Sequence, residues 1–307
     1  MKNSSYPKIF VAGETGMVGS AIKKELKKKY YCFDCTRSSL DITNQNKVIK
    51  WFKKNKPDIV INAAGKVGGI LDNSTKQDEY LYINTMIGMN LVHACFKNNV
   101  RQFINIGSAC IYPKKKNIYK ESHLLTSKLE PTNEGYAIAK ISVLKFCEYI
   151  KKKFKKNYIS LMPSNLYGPG DNFNLQASHV IPALVKKFYN AKISGQESVE
   201  VWGSGKVKRQ FLHVKDFARL VKMLVLKEPN FYYANAQGKD FLSIEMVAKK
   251  IQKILKYKGK IKFNKNYPDG AEARFLDGTK LSKFGWKPSI NIEQGLKNYI
   301  KENIKKF

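Results

Sequence analysis

Tyr136 and Lys140 stand four residues apart in Tyr136-Ala137-Ile138-Ala139-Lys140, a spacing that brings two side chains onto one face of a helix and into one cleft. A phenol beside an ammonium is a proton donor of adjustable acidity. Ser108 ends the apolar run Gln102-Phe103-Ile104-Asn105-Ile106-Gly107, where its hydroxyl can orient a carbonyl by hydrogen bonding. Near the start, Gly13-Glu14-Thr15-Gly16-Met17-Val18-Gly19 has the spacing of a turn that cradles a diphosphate. Tyr-x-x-x-Lys alone is more often a solvated helix face. Its weight comes from order: glycine turn first, strand-end serine second, tyrosine and lysine last, as a nicotinamide-dependent oxidoreductase requires.

The elements that must position these residues are legible as alternation. Lys8-Ile9-Phe10-Val11-Ala12 is a short apolar run entering the glycine turn, and Met17 to Leu26 has helical periodicity. Tyr31 to Cys35 reads as a second strand, Asp58 to Gly65 and Gln102 to Ser108 as further buried strands, and Tyr158 to Pro163 as another. Helical segments from about Asn44 to Lys54 and Glu79 to Asn98 separate them. Strand and helix in alternation predict an α/β fold, a Rossmann-type doubly wound parallel sheet whose ligands bind beyond the carboxyl ends of the strands. After Asn165-Leu166-Tyr167-Gly168-Pro169-Gly170 the rhythm breaks into short mixed segments, including a strand at Val199 to Gly203, which predicts a smaller lobe over the substrate. Phe211-Leu212-His213-Val214 and the helix from Asp216 read as a return to the sheet domain. The expected domains are therefore residues 1–165 with about 211–240 for the dinucleotide, and about 166–210 with 241–307 for the substrate.

At 307 residues, 43% hydrophobic and 26% charged, the composition is that of a globular chain. No run approaches about 18 uncharged apolar residues and the opening residues run straight into a strand-like segment, so neither a membrane span nor a signal peptide is expected. The expected location is the cytoplasm. The five cysteines have no disulfide-framework spacing, and Cys32-Phe33-Asp34-Cys35 lacks the two further ligands zinc would need, so no metal is expected. The net charge of +32 suggests a nucleic-acid partner, yet only five of the 56 basic residues are arginine and the lysines are spread over nearly every helix. Solvated surface is the better reading, without nucleic acid.

That bias makes the arginines informative, because a planar fork suits phosphate or carboxylate better than an ammonium. Arg37, Arg209 and Arg274 fall where anion contacts are wanted; Arg101 and Arg219 lie on surface segments. The second strand ends in Cys35-Thr36-Arg37-Ser38, with no acid in the last position to bind a free ribose hydroxyl. Arg37 is placed to pair with a 2′-phosphate, which favours NADP(H) over NAD(H).

The chain resembles the extended short-chain dehydrogenase/reductase family, and within it the branch acting on GDP-4-keto-6-deoxy sugars. The resemblance runs end to end. It is carried by Val11-Ala12-Gly13 with Gly16-Met17-Val18-Gly19-Ser20-Ala21-Ile22, Lys66-Val67-Gly68-Gly69-Ile70, Ser108-Ala109-Cys110-Ile111-Tyr112-Pro113 and Leu129-Glu130-Pro131-Thr132-Asn133-Glu134 before Tyr136. It continues through Asn165 to Pro169, Asp171-Asn172-Phe173, Ser178 to Leu184 and Val201-Trp202-Gly203-Ser204-Gly205.

The resemblance implies that Tyr136 protonates the C4 oxygen as hydride arrives, that Lys140 tunes Tyr136 and holds the cofactor ribose, and that Ser108 orients the sugar ketone. A lysine about 4.5 Å away at an effective dielectric of about 20 favours phenolate by roughly 3 to 4 kcal/mol, two to three pKa units. Cys110 and His179 fall on the branch's acid/base pair for epimerisation at C3 and C5. Two residues after Ser108, Cys110 is expected to face the same way along an extended strand end. Read without the resemblance, the two are equally a buried cysteine and a helix-starting histidine. Implied cofactor contacts are Gly13, Gly16, Met17, Val18, Gly19, Arg37, Asp41, Ala63, Ala64, Tyr136, Lys140, Pro163, Asn165, Leu166 and His179. Implied substrate contacts are Ser108, Asn165, Val180, Lys187, Trp202, Arg209 and Arg274, and the implied assembly is a homodimer.

Three positions depart from the branch: Ala109, where another serine is frequent, Lys187 in place of arginine, and Glu272 with Ala273 in an otherwise basic stretch. A 4,6-dehydratase would carry Asp-Glu after the strand-end serine, and a 4-epimerase would not need Arg37 or the Cys110 and His179 pair. The open alternatives are a reductase acting alone on a pre-epimerised hexose or heptose, and a cofactor-sensing protein without catalysis.

Overall fold

The structure, a computed structural model, describes residues 6–114, 118–174, 178–267 and 273–303, with the main chain alone at 273 and 274. The first half runs β1 (Lys8–Ala12), α1 (Met17–Leu26), β2 (Tyr31–Cys32), α2 (Gln45–Asn55), β3 (Ile59–Asn62), α3 (Ile70–Thr75), α4 (Gln77–Lys97), β4 (Gln102–Ile106), β5 (Ile118–Tyr119), α5 (Glu134–Phe154) and β6 (Asn157–Pro163). The second half runs β7 (Asn165–Tyr167), α6 (Val180–Ile193), β8 (Ser198–Trp202), β9 (Lys208–His213), α7 (Val214–Leu226), β10 (Tyr233–Ala236), β11 (Asp240–Ser243), α8 (Ile244–Leu255), β12 (Lys260–Asn264), β13 (Ala273–Leu276), α9 (Thr279–Lys283) and α10 (Ile292–Asn303).

Six parallel strands form the main sheet in the order β10-β6-β4-β3-β1-β2. Every residue of β3, β4 and β6 is buried, as a sheet covered on both faces demands. Alternation along β1 supplies both cores: Ile9 and Val11 pack with Ile22 and Leu26 of α1 and Leu220 and Leu224 of α7, while Phe10 joins Phe52 of α2, Leu91 of α4 and Val143 of α5. The doubly wound parallel sheet expected from the sequence is therefore present. Its order reverses at β1, which has β2 on one side and β3 on the other, so the crevice lies at the carboxyl ends of β1 and β3.

Two segments differ from expectation. The second strand pairs only over Tyr31–Cys32, because after Phe33 N bonds to Ile9 O the chain is drawn off when Cys35 N donates to Glu14 Oε1. Phe211 to His213 do not rejoin the main sheet: they belong to β9, which pairs with β7, β11 and β13 in a second sheet. The return begins one residue later, where His213 caps α7, and is completed by β10 beside β6. A separate pair, β8 with β12, packs with α6, α8 and α10 in a third core. Among the described residues no helix is long and apolar enough to cross a membrane, and no cluster of three or more His, Cys, Asp or Glu side chains could hold a metal ion.

Candidate active site

The glycine turn is shaped by contacts that exclude side chains. Gly13 has a φ of +79°, and a Cβ there would lie 2.7 Å from the Ala64 main chain; a Cβ on Gly19 would lie 2.1 Å from Gly13 O. Gly16 differs: its nearest neighbour to a Cβ would be Gly13 O at 3.5 Å, so its missing side chain leaves open space rather than relieving a clash. Gly16 caps α1 with no side-chain bond to the first amides, and the first turn of α1 holds no acid. The first-turn amides of Met17 and Val18 have no acceptor within the helix and lie beside that space, which suits a diphosphate, so the residues present fit a dinucleotide. Ala63 N bonds to Ala12 O and Ala64 N to Asn62 Oδ1, which fixes the β3 end against the turn.

Arg37 is exposed in the turn after β2. Asp41 accepts from the amide and hydroxyl of Thr43, bonds that hold its carboxyl below the usual range, with Arg37 a smaller influence. Asp34, the acid nearest the β2 end, turns instead to Lys23 at 2.5 Å and Lys27 at 3.0 Å, which bring its pKa down to about 2.

Beyond β4 the chain does not continue as a strand. Ser108 is extended, but Ala109 to Ile111 form a 3₁₀ turn closed by Cys110 N donating to Ser108 Oγ at 3.2 Å. Strand alternation is therefore not what places Cys110; the serine-capped turn does. The Cys110 thiol meets Asn133 Nδ2 at 3.3 Å, one turn before Tyr136. Gln77 fixes the start of α5 by donating to Pro131 O and accepting from Gly135 N.

Tyr136 is hydrogen-bonded to Ser108 and meets the Tyr80 ring edge-to-face at 6.2 Å. Lys140, 7% exposed, donates to Ile106 O at 3.1 Å, with its Nζ 5.6 Å from the Tyr136 ring centre. A Cβ on Gly65 would stand 3.5 Å from that Nζ, which places the ammonium at the β3 end. The expected lowering of the Tyr136 pKa is not found. Burial pushes the phenol well up, Cys110 adds to the rise, and the Ser108 bond only partly opposes it. Burial also depresses Lys140 to about 8. Desolvation is the largest cause of both shifts, and the directed bond of the lysine goes to a backbone carbonyl.

His179 opens α6 at its N-cap position, with Nδ1 3.7 Å from Oδ1 of Asp171, whose side chain is 4% exposed. The loop carrying Asp171 lies over α1, since a Cβ on Gly170 would be 3.4 Å from Met17 Cα. Cys110 thus belongs to the Ser108, Tyr136 and Lys140 group, and His179 to the loop above the glycine turn. Pro163 ends β6 beside Ala236, Asn165 pairs with Phe211, and the half-buried Leu166 packs on the main core. Val180 packs into the third core.

On β8, Trp202 stacks on Tyr267 at 4.2 Å and 9°, and Lys187 of α6 sits 4.5 Å above the indole. Lys187 Nζ also donates to Glu200 O at 3.1 Å, and burial lowers its pKa against the pull of Glu200. Glu200 accepts from Trp202 Nε1 and Asn264 Nδ2. Arg209, on β9, donates to Lys208 O and pairs through its backbone with Arg274. The Arg274 side chain and Glu272 lie outside the described residues.

Residues 9–233 match the NAD dependent epimerase/dehydratase family. The chain belongs to that family. The GDP-L-fucose synthase of Escherichia coli (strain K12) is 40% identical over 304 residues, covering 95% of each chain. Among solved structures, a GDP-6-OMe-4-keto-L-xylo-heptose reductase from C. jejuni superposes with a TM-score of 0.93 at 30% identity, covering 99% of both chains. A GDP-mannoheptose C4 reductase from Campylobacter jejuni with NADP bound gives 0.89 at 30% identity, covering 98% of this chain and 99% of that one.

Within this epimerase/dehydratase framework, four neighbours of the site escape the reading of the sequence. Asn133 had a signal, since it lies three residues before Tyr136 at the helix entrance. Asp171 lies eight residues before His179, and Tyr267 reaches Trp202 only through the pairing of β8 with β12, so neither shares a local period with its partner. Glu14 sits inside the glycine motif, where an acid reads as a loop residue until its contacts are seen.

Proposed function

We propose that this chain uses NADPH to reduce the C4 ketone of a GDP-4-keto-6-deoxy sugar, with epimerisation at C3 and C5 in the same cleft. The observation that carries the reading is the bonded pair Ser108 and Tyr136, with Lys140 buried beneath and Cys110 beside them, at the carboxyl edge of a parallel sheet whose glycine turn suits a diphosphate. Bound NADPH supplies the hydride. Ser108 donates to the ketone oxygen, and Tyr136 delivers the phenolic proton to that oxygen as it gains charge. The raised phenol pKa keeps Tyr136 protonated until then. Lys140 stabilises the resulting phenolate and binds the cofactor ribose.

The same ketone acidifies the hydrogens on C3 and C5. Cys110 and His179 act as the pair that removes a proton from one face and returns one to the other, while Ser108 and Tyr136 hold the enolate oxygen. Asp171 holds His179 in place. Lys187, Arg209 and Arg274 bind the diphosphate, Trp202 packs on the nucleotide, and Arg37 takes the coenzyme 2′-phosphate. Residues 1–165 with about 211–240 serve the coenzyme, and about 166–210 with 241–307 the sugar nucleotide. The exposed Leu81, Tyr82, Ile138 and Tyr149 on α4 and α5 support a homodimer, and the enzyme is read as cytoplasmic.

The test is the product formed from GDP-4-keto-6-deoxy-mannose and NADPH in deuterated water. Deuterium at C3 or C5 with reduction at C4 supports the combined reaction. A second reading, reduction alone of a pre-epimerised heptose, is favoured by the resemblance to the two heptose reductases; it predicts C4 reduction of that substrate with no deuterium at C3 or C5.

A further inference from the structure

Glu14 places a carboxylate inside the turn that must receive a diphosphate, an arrangement that repels the ligand unless the charge is cancelled. The cancelling charge comes from α1. Lys23 Nζ bonds to Glu14 Oε2 and, at 2.5 Å, to Asp34 Oδ1, while Glu14 Oε1 accepts from Cys35 N at 3.1 Å. The Lys23 side chain is 10% exposed and that of Glu14 7%, so this contact is sheltered from water and salt. Asp34 is open to solvent and is also held by Lys27. Lys23 therefore bridges an acid in the β1–α1 turn and another at the β2 end, with Lys27 supplying the second positive charge at Asp34, in the two places where the phosphates of a dinucleotide would lie. The proton chemistry does not use it.

We propose that Lys23 sets coenzyme affinity and 2′-phosphate preference. By holding Glu14 and Asp34 in one bridge, it keeps the glycine turn receptive to a diphosphate and leaves Arg37 unopposed for a 2′-phosphate. It acts through the two acids and is a positioning residue. The Cys35 bond adds a mechanical link, because the same carboxylate that is neutralised also anchors the start of the turn carrying Arg37. The proposal rests on the NADP(H) reading above.

The test is calorimetric titration of NADP+ and NAD+ into the full chain and its variants, with thermal unfolding of each. Lys23→Met, which strands Glu14 and leaves Asp34 to Lys27 alone, weakens NADP+ by roughly 30- to 100-fold and NAD+ by about tenfold. Glu14→Gln, which keeps the acceptor for Cys35 N and leaves Lys23 on Asp34, binds both as tightly as the parent or more so. The double variant Glu14→Gln/Lys23→Met recovers most of the loss, showing that neutralisation matters. NADP+ affinity within about twofold of the parent in Lys23→Met, or a loss beyond about fivefold in Glu14→Gln, overturns the proposal. So does a double variant no better than Lys23→Met, which would mean that the ammonium touches the ligand directly. Should Lys23→Met not fold, Glu14→Gln and the double variant decide. A parent chain that binds neither dinucleotide sinks the coenzyme reading and this inference with it, a result distinct from tight binding that ignores Lys23.

Discussion

Lys140 is 7% exposed on a 21-residue helix and spends its directed bond on the Ile106 carbonyl, whereas Trp202 is 41% exposed at the end of a five-residue strand and is steadied by Tyr267. In the proposed function these regions are the two walls of the cleft, one dry and fixed by the main sheet, the other open and built from short strands. Burial on the first wall moves Lys140 to about 8 and raises Tyr136, shifts large enough to set proton chemistry. The second wall is suited to gripping a charged, hydrated nucleotide. Substitutions on the first wall are expected in kcat and those on the second in KM.

The largest effect is expected at Tyr136. Tyr136→Phe removes the proton donor but retains the ring against Tyr80, so kcat falls by roughly 10²- to 10⁴-fold while NADPH affinity and unfolding temperature stay near those of the parent. Retained turnover would falsify its role as acid and revive a binding protein without catalysis. Next come Cys110 and His179, the pair proposed for epimerisation. Cys110→Ser and His179→Gln each reduce deuterium entry at C3 or C5 by roughly 10²-fold or more, with reduction of a pre-epimerised 4-keto sugar little changed. If both activities fall together in either variant, the two reactions do not have separate residues.

The division also explains what the sequence discloses. The main sheet is legible because its strands are mostly apolar and its helices long, so the pattern survives in one dimension. Ser108, Tyr136 and Lys140 lie at the ends or on one face of those elements. Cys110 was placed for the wrong reason, since a serine-capped 3₁₀ turn replaced the strand. Charge alone predicts a more acidic Tyr136, whereas desolvation, which one dimension does not show, raises it. Tyr267 and Asp171 meet their partners through tertiary contacts, and the place of β9 in the second sheet is not legible because its partners β7 and β11 are too short to announce themselves.

The pH dependence sharpens the contrast within the dry wall. Lys140 titrates near 8 when folded and near 10.5 when unfolded, so between those values the unfolded chain binds the extra proton. Its contribution therefore makes the fold more stable as pH rises through that window, while below about 8 the full desolvation penalty, on the order of 3 kcal/mol, persists. Activity runs the other way, because the ammonium that supports the phenolate is lost. The profile of kcat/KM for NADPH should show an alkaline limb near 8, and Lys140→Met should remove this residue's share of the stability rise. A flat rate profile between pH 7 and about 9.5 would separate Lys140 from the reaction.

Effects on the open wall are smaller. Trp202→Ala forfeits the stack on Tyr267, worth about 1 kcal/mol, and should raise KM for the sugar nucleotide roughly fivefold with kcat nearly constant. Lys187→Arg tests the same wall in the favourable direction. The ammonium now lies over the Trp202 ring and donates to Glu200 O, so it is a single charge whose own donors are partly engaged. A guanidinium can stack on the indole and still present a planar pair of donors to phosphate. KM should fall by roughly two- to threefold with no change in kcat, a gain limited by the solvent exposure of the site. An increase in KM would mean that the lysine is fitted to a different part of the substrate than its diphosphate, and that the departure from arginine at this position reflects the sugar.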